Sequence, residues 1–325
     1  MPDLVPVVDL ASASAPDQVD AACREIGFFQ ITGHAVPTDV VDGMLDAAGR
    51  FFDLPAEQKR PCRPPSPAIN RGWSPVGVES LAYSLGVEAP PDLFEAFNTG
   101  HEVDYRDPVH AAHRDGFFAP NLWPDVPGFK DAFTTYFETV AALAHRLTAV
   151  VARALEMPDD FFADKTDHSP DVLRVNWYRG EEGLAAVPGQ QRMGAHTDYG
   201  VLTILYADVV PGLEIVAPSG EWVGVQPEPG CYLVNLGDLL AQWTNDRWRS
   251  TLHRVVPGDH FRRSAAFFHE ANADALVEVL PTCVTAEAPA RYAPVRAGDH
   301  LLAKLRGSRE LQPSTAASTL GERRL

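Results

Sequence analysis

Apolar positions along this 325-residue chain change their period near residue 170. Upstream the spacing is helical. Across residues 128–157, Phe129, Phe133, Tyr136, Val140, Leu143, Leu147, Val151 and Leu155 recur every three or four positions and form one stripe. Pro158 and two aspartates then stop the helix. Before it, residues 5–10 suit a short strand, and 15–26 suit a helix opened by Pro16 and Asp17. Residues 27–31 suit a second strand broken at Gly33, and a further helix runs from Thr38, a natural N-cap, to Phe52. Residues 55–91 are rich in Pro, Gly and Ser and predict a long irregular segment, which in a compact domain usually has a function.

Downstream of residue 170 the pattern becomes β-like. Residues 172–178, 201–206, 213–216, 222–225, 232–235, 253–256, 264–269 and 277–280 are short, β-rich runs separated by turns such as Ser219-Gly220 and Pro229-Gly230. That many short strands predict a sandwich or barrel. Helices first and strands later predict an α+β fold rather than alternating βαβ units. Residues 304–325 are polar and Arg-rich and read as a mobile tail.

Composition narrows the function by exclusion. Lys and Arg number 27 against 44 Asp and Glu, a net charge of −17. Such a surface repels phosphate backbones and anionic lipid, so no nucleic-acid or membrane role is expected, although a small basic pocket remains compatible with it. Cys23, Cys62, Cys231 and Cys283 are scattered without a CxxC pair, as in a protein with reduced thiols. No basic leader followed by an apolar run opens the chain, and no stretch of 18 apolar residues occurs. The expectation is a soluble cytoplasmic protein, a monomer or weak homo-oligomer.

The candidate chemistry lies in the β-rich part. In His196-Thr197-Asp198, residues two apart on extended backbone share a face, so imidazole and carboxylate can converge. His253, 55 residues beyond Asp198, is the leading third ligand. Two neutral imidazoles and one carboxylate make the facial triad of non-haem Fe(II) sites. Zinc accepts the same set, so the triad alone leaves the metal open. Nine residues after His253, Arg262 and Ser264 share a strand face, and a guanidinium beside a hydroxyl suits a carboxylate. Asn176 and Tyr178 form a similar same-face pair.

Taken in order, Asn176-x-Tyr178, His196-x-Asp198, Asn235-Leu236-Gly237-Asp238, Thr244-Asn245, His253-Arg254-Val255 and Arg262-x-Ser264 resemble the isopenicillin N synthase-like superfamily of Fe(II)/2-oxoglutarate-dependent oxygenases. The runs Val5-Pro6-Val7-Val8-Asp9-Leu10 and Gly27-Phe28-Phe29-Gln30-Ile31 with Gly33-His34 agree, so the likeness spans about residues 5–303. The resemblance implies a double-stranded β-helix, or jelly roll, buttressed by N-terminal helices. It implies one oxygenase domain over 1–325: a helical and loop region 1–125, a scaffold helix 126–160, a jelly-roll core 170–303, and the tail 304–325 as a candidate lid. It further implies that His196, Asp198 and His253 are catalytic iron ligands. Tyr178, Arg262 and Ser264 would bind the distal carboxylate of 2-oxoglutarate, with Asn176 on the same wall.

The activity implied consumes O2 and 2-oxoglutarate, releases succinate and CO2, and hydroxylates, desaturates or cyclises a small substrate. Asp198 argues against halogenation, because halogenating relatives lack that carboxylate. Oxidase branches of the superfamily use the RxS pair for the substrate's own carboxylate and need no 2-oxoglutarate, so that reading stays open here. A non-catalytic metal-binding jelly-roll sensor and a zinc hydrolase are the readings from other classes. Expected substrate contacts are Trp73, Phe97, Arg192, Trp243 and Phe268, drawn from Asn70–Trp73, Leu93–Phe97, Val187–Met193 and the later strands. Arg71 and Arg174 are added as anion-binding candidates, and a specialised metabolite or amino-acid derivative is the expected substrate. His269 is expected to end its strand rather than face the pocket, and Asp238 and Asn245 to shape turns.

Overall fold

The computed structural model describes residues 4–67, 69–180 and 187–310, with side chains to residue 305. Twelve strands carry the architecture: β1 (Val7–Asp9), β2 (Phe28–Thr32), β3 (Gly72–Ser74), β4 (Glu95–Gly100), β5 (Val172–Tyr178), β6 (Met193–His196), β7 (Leu202–Ala207), β8 (Leu213–Val216), β9 (Trp222–Gly224), β10 (Tyr232–Leu236), β11 (His253–Val255) and β12 (Arg262–His269). They form a major sheet in the order β1-β2-β10-β7-β12-β5-β4-β3 and a minor sheet in the order β6-β11-β8-β9. All neighbours are antiparallel except β1 and β2. This is a jelly-roll core with helices, the α+β class that the resemblance implied.

Strand alternation decides what each face of the major sheet does. On β5 and β12, Leu173, Val175, Trp177, Ala265 and Phe267 enter the main hydrophobic core. Their neighbours in sequence, Arg174, Asn176, Tyr178, Arg262 and Ser264, line a cavity with residues of the minor sheet. Helix Phe129–Ala154 buries its apolar stripe in that core, with helices Ala15–Glu25 and Thr38–Phe52 against it. Rings knit the layer together: Phe97 meets Phe51 and Phe129 with centroids 4.9 Å apart in each pair. Burying each such side chain stabilises the fold by roughly 1.5–3 kcal/mol.

Two features depart from the pattern-based expectation. Strands β3 and β4 extend the major sheet from within the N-terminal region, although Glu95–Gly100 shows no alternation because it is buried throughout. The tail expected from residue 304 begins instead inside a helix, Ala297–Glu310, and its residues 311–325 lie outside the described residues. Leu301, Leu302 and Leu305 of that helix join the cavity wall, a short apolar face within a segment otherwise rich in charged residues. No described helix is long and apolar enough to cross a membrane.

Candidate active site

The minor sheet builds the metal centre through register. His196 at the end of β6 pairs directly with His253 at the start of β11, and their ring centroids lie 4.2 Å apart. Each imidazole is anchored by Nδ1 to a carbonyl two residues back, at 2.8 Å to Gly194 and 3.1 Å to Thr251. A carbonyl only accepts, so each Nδ1 carries the proton and each Nε2 presents a lone pair. Both Nε2 atoms lie 3.8 Å from the same oxygen of Asp198, Oδ1. Burial first, and the neighbouring His253 second, hold His196 well below the ordinary histidine range, so it is a neutral ligand at pH 7.

Asp198 divides its two oxygens between two tasks. Oδ2 accepts from Asn235 Nδ2 at 2.6 Å and from Thr203 Oγ1 at 2.5 Å, which leaves Oδ1 to the histidines. The Asp198 carbonyl accepts from the Asp238 amide at 2.8 Å. Asp238 itself accepts from Thr197 and Ser250 hydroxyls and pairs with the buried Lys304 at 3.0 Å. The structure thus gives Asp238 a role beyond turn shaping: it links the C-terminal helix to the residues around the ligands. Two imidazoles with Nε2 turned to one carboxylate oxygen, each ligand held from behind, fit a divalent iron ion.

On the opposite wall, β5 and β12 pair Tyr178 with Arg262 and Asn176 with Ser264. Arg262 is 2% exposed, and its Nε and Nη1 have no hydrogen-bond partner. Its guanidinium lies 5.1 Å from the Tyr178 ring. Asn176 Nδ2 donates to Ser264 Oγ at 3.3 Å, while Asn176 Oδ1 accepts from Arg174 Nε at 2.9 Å. Burial pushes the Tyr178 hydroxyl up, so it keeps its proton for donation. A buried guanidinium with free donors is unfavourable until an anion reaches it, and a carboxylate satisfies two donors at once. This wall and the triad open onto one cavity, a donor set suited to 2-oxoglutarate.

The expected substrate contacts are placed unevenly. Phe268 lines the cavity, as do Asn70, Arg71 and Arg174. Trp73 does not: its indole donates to Glu95 at 2.9 Å and it packs in the core. Phe97 and Trp243 are likewise core residues, the latter against Phe162. Arg192 donates to the carbonyls of Arg179, Gly258 and His260. Alternation explains Phe97, which sits opposite Val175 on the core side. His269 ends β12 fully buried, bonded to Asp171 at 3.1 Å. The pattern of motifs did not point to Thr203 or to Glu270, whose roles arise only when β7 and the end of β12 come together beside Asp198.

Fold and site together define a jelly-roll oxygenase of the Fe(II)/2-oxoglutarate class. Comparison with known proteins agrees over nearly the whole chain. Residues 5–126 match the family described as non-haem dioxygenase in morphine synthesis N-terminal, and residues 170–271 match the 2OG-Fe(II) oxygenase superfamily. The chain is 35% identical over 295 residues to the 2-oxoglutarate-Fe(II) type oxidoreductase hxnY of Emericella nidulans, covering 89% of this chain and 83% of that one. It is 34% identical to a homoarginine-6-hydroxylase of Oryza sativa, covering 88% and 87% of the two chains. Among solved structures, a full-length Neurospora crassa protein in complex with alpha-KG and thymine superposes with a TM-score of 0.81 at 27% identity, over 93% of this chain and 96% of that one. This chain belongs to the 2OG-Fe(II) oxygenase superfamily. Its co-substrate is 2-oxoglutarate and its metal is iron, which sets aside the oxidase, sensor and zinc-hydrolase readings.

Proposed function

We propose that this oxygenase hydroxylates a small polar metabolite, with His196, Asp198 and His253 holding Fe(II) and with Arg262, Ser264, Tyr178 and Asn176 receiving the distal carboxylate of 2-oxoglutarate. The observation that carries this reading is the buried guanidinium of Arg262, two of its donors unpaired, on a wall shared with the triad. Bound iron with 2-oxoglutarate supplies the oxidising power when O2 arrives. The chain's own residues do the positioning. Arg262 and Ser264 fix one end of the co-substrate, Asn235 and Thr203 orient the Asp198 carboxylate, and the apolar Leu301, Leu302 and Leu305 keep water from the reacting centre.

Relatives named for homoarginine and proline hydroxylation, and a neighbour solved with thymine, support a small nitrogen-bearing substrate. The acidic exterior supports the same choice over a polyanion. A contiguous core from Val8 to Ala297 supports one folded unit. The test is a substrate screen read as stimulated succinate release, followed by mass spectrometry of the product. One succinate per product and a gain of one oxygen atom are expected. A product that has only lost two hydrogens, or stimulation that survives His196→Ala, would overturn the proposal.

A further inference from the structure

Glu270 is a buried carboxylate in the wall of the same cavity, and nothing in the oxygenase reading uses it. It follows the last residue of β12, is 5% exposed, and its Oε2 has no hydrogen-bond partner. The site is shaped around this group. A Cβ on Gly200, two residues after the ligand Asp198, would lie 1.9 Å from Glu270 Oε2, so glycine there leaves the carboxylate its space. The Glu270 amide donates to Asp171 at 2.9 Å, which fixes the backbone behind it.

Apart from Arg262, the other charged groups around the cavity have partners within the protein. Arg174 pairs with Glu79 at 3.0 Å, and Lys304 pairs with Asp238 at 3.0 Å. Arg71 donates to the carbonyls of Asn70, Phe117 and Ala119. Arg262 faces the co-substrate and Asp198 the metal. Nearby Asp171 is already paired with His269, and among the described residues no cation is paired with Glu270. Burial, with the charges of Asp171 and Asp198 adding to it, pushes the Glu270 carboxyl up to about 8. Without a cation beside it the group is therefore held as a neutral acid at pH 7, and a ligand cation supplies the missing counter-charge against which it ionises.

We infer that Glu270 is the specificity anchor of this oxygenase, and that its substrate presents a cationic nitrogen, a protonated amine or a guanidinium, on an apolar carbon frame. The cation meets Glu270 while the frame lies against Phe268, Leu301 and Leu305 of the same wall. The inference rests on the oxygenase reading and adds the class of substrate to it. Charge pairing in a closed site discriminates strongly, because a neutral isostere offers the buried Glu270 acid no counter-charge to ionise against.

The test uses the anaerobic holoenzyme loaded with Fe(II) and 2-oxoglutarate, and measures binding of matched probes by calorimetry or thermal shift. The probes are n-hexylammonium and n-hexylguanidinium, each compared with 1-hexanol. The wild type should bind the cations at least about tenfold more tightly than the alcohol. In Glu270→Gln the preference should fall to about one. Equal affinity for cation and alcohol in the wild type, failure of both cations to bind, or a preference that survives Glu270→Gln would overturn the inference. The wild-type comparison needs no variant to fold. Wild-type protein that forms no Fe(II)–2-oxoglutarate absorption would fail the oxygenase reading instead, so the two failures are distinct.

Discussion

Two buried groups of histidine and aspartate lie on either side of the end of β12, and they are wired differently. In the triad, His196 and His253 turn Nδ1 to backbone carbonyls, so both Nε2 atoms face Asp198 Oδ1. Around Asp171, His269 turns Nδ1 to the carboxylate at 3.1 Å, His101 approaches at 3.7 Å, and the second oxygen takes the Glu270 amide. His145 meets His269 ring to ring at 5.4 Å. Among the described residues only the triad brings its ligand atoms within 4.8 Å of one another. Residue type does not make a metal centre. What distinguishes the triad is where the second nitrogen and the second oxygen are engaged.

The two groups should therefore fail differently, and the largest difference is at the ligands. His196→Ala should weaken Fe(II) binding by at least about a hundredfold, measured by anaerobic titration, with little change in unfolding free energy of the metal-free protein. Asp171→Asn should do the reverse. Replacing the carboxylate that His269 Nδ1 and the Glu270 amide engage should destabilise by about 1–3 kcal/mol in urea unfolding at pH 7, with metal affinity nearly unchanged. Burial acts to raise the Asp171 carboxyl, but His269 and His101 hold it well below the usual carboxylate range. A depressed folded value contributes stability above the unfolded pKa of 3.8 and loses it as pH falls through the folded value. The gap between wild type and Asp171→Asn should thus be full at neutral pH and narrow only below about pH 4. An equal gap at pH 7 and pH 3 with loss of metal binding would erase the distinction drawn here.

A smaller effect tests the wiring itself. Asn235→Ala frees Asp198 Oδ2 from one of its two donors and should weaken metal binding by roughly 10–100-fold without altering the ligand set. The smallest effect separates cavity from core. Trp73→Phe removes the hydrogen bond to Glu95 together with part of a buried ring and should lower stability by about 1–3 kcal/mol, with substrate-stimulated kcat/KM unchanged.

How much of this was legible depended on whether local spacing carried the geometry. Arg262 with Ser264, Asn176 with Tyr178 and His196 with Asp198 sit two apart on extended backbone, so the period of a strand already puts each pair on one face. The register that sets Arg262 beside Tyr178 and His196 beside His253 is long-range and came from the family resemblance. Trp73, Phe97 and Trp243 were expected at the substrate because they are aromatic, but aromatic rings fill cores as readily as pockets, and here they do. Strands β3 and β4 were hidden because burial on both faces removes alternation. Glu270 had no local signature at all, since its setting is made by Gly200 from a distant segment.

The central claim is that the β5–β12 wall is a 2-oxoglutarate clamp serving the triad. Anaerobic titration of 2-oxoglutarate into Fe(II)-loaded protein, followed by the metal-to-ligand absorption, addresses it most directly. Arg262→Gln should bind iron as the wild type does but require at least about tenfold more 2-oxoglutarate. An unchanged 2-oxoglutarate affinity in that variant would contradict the account.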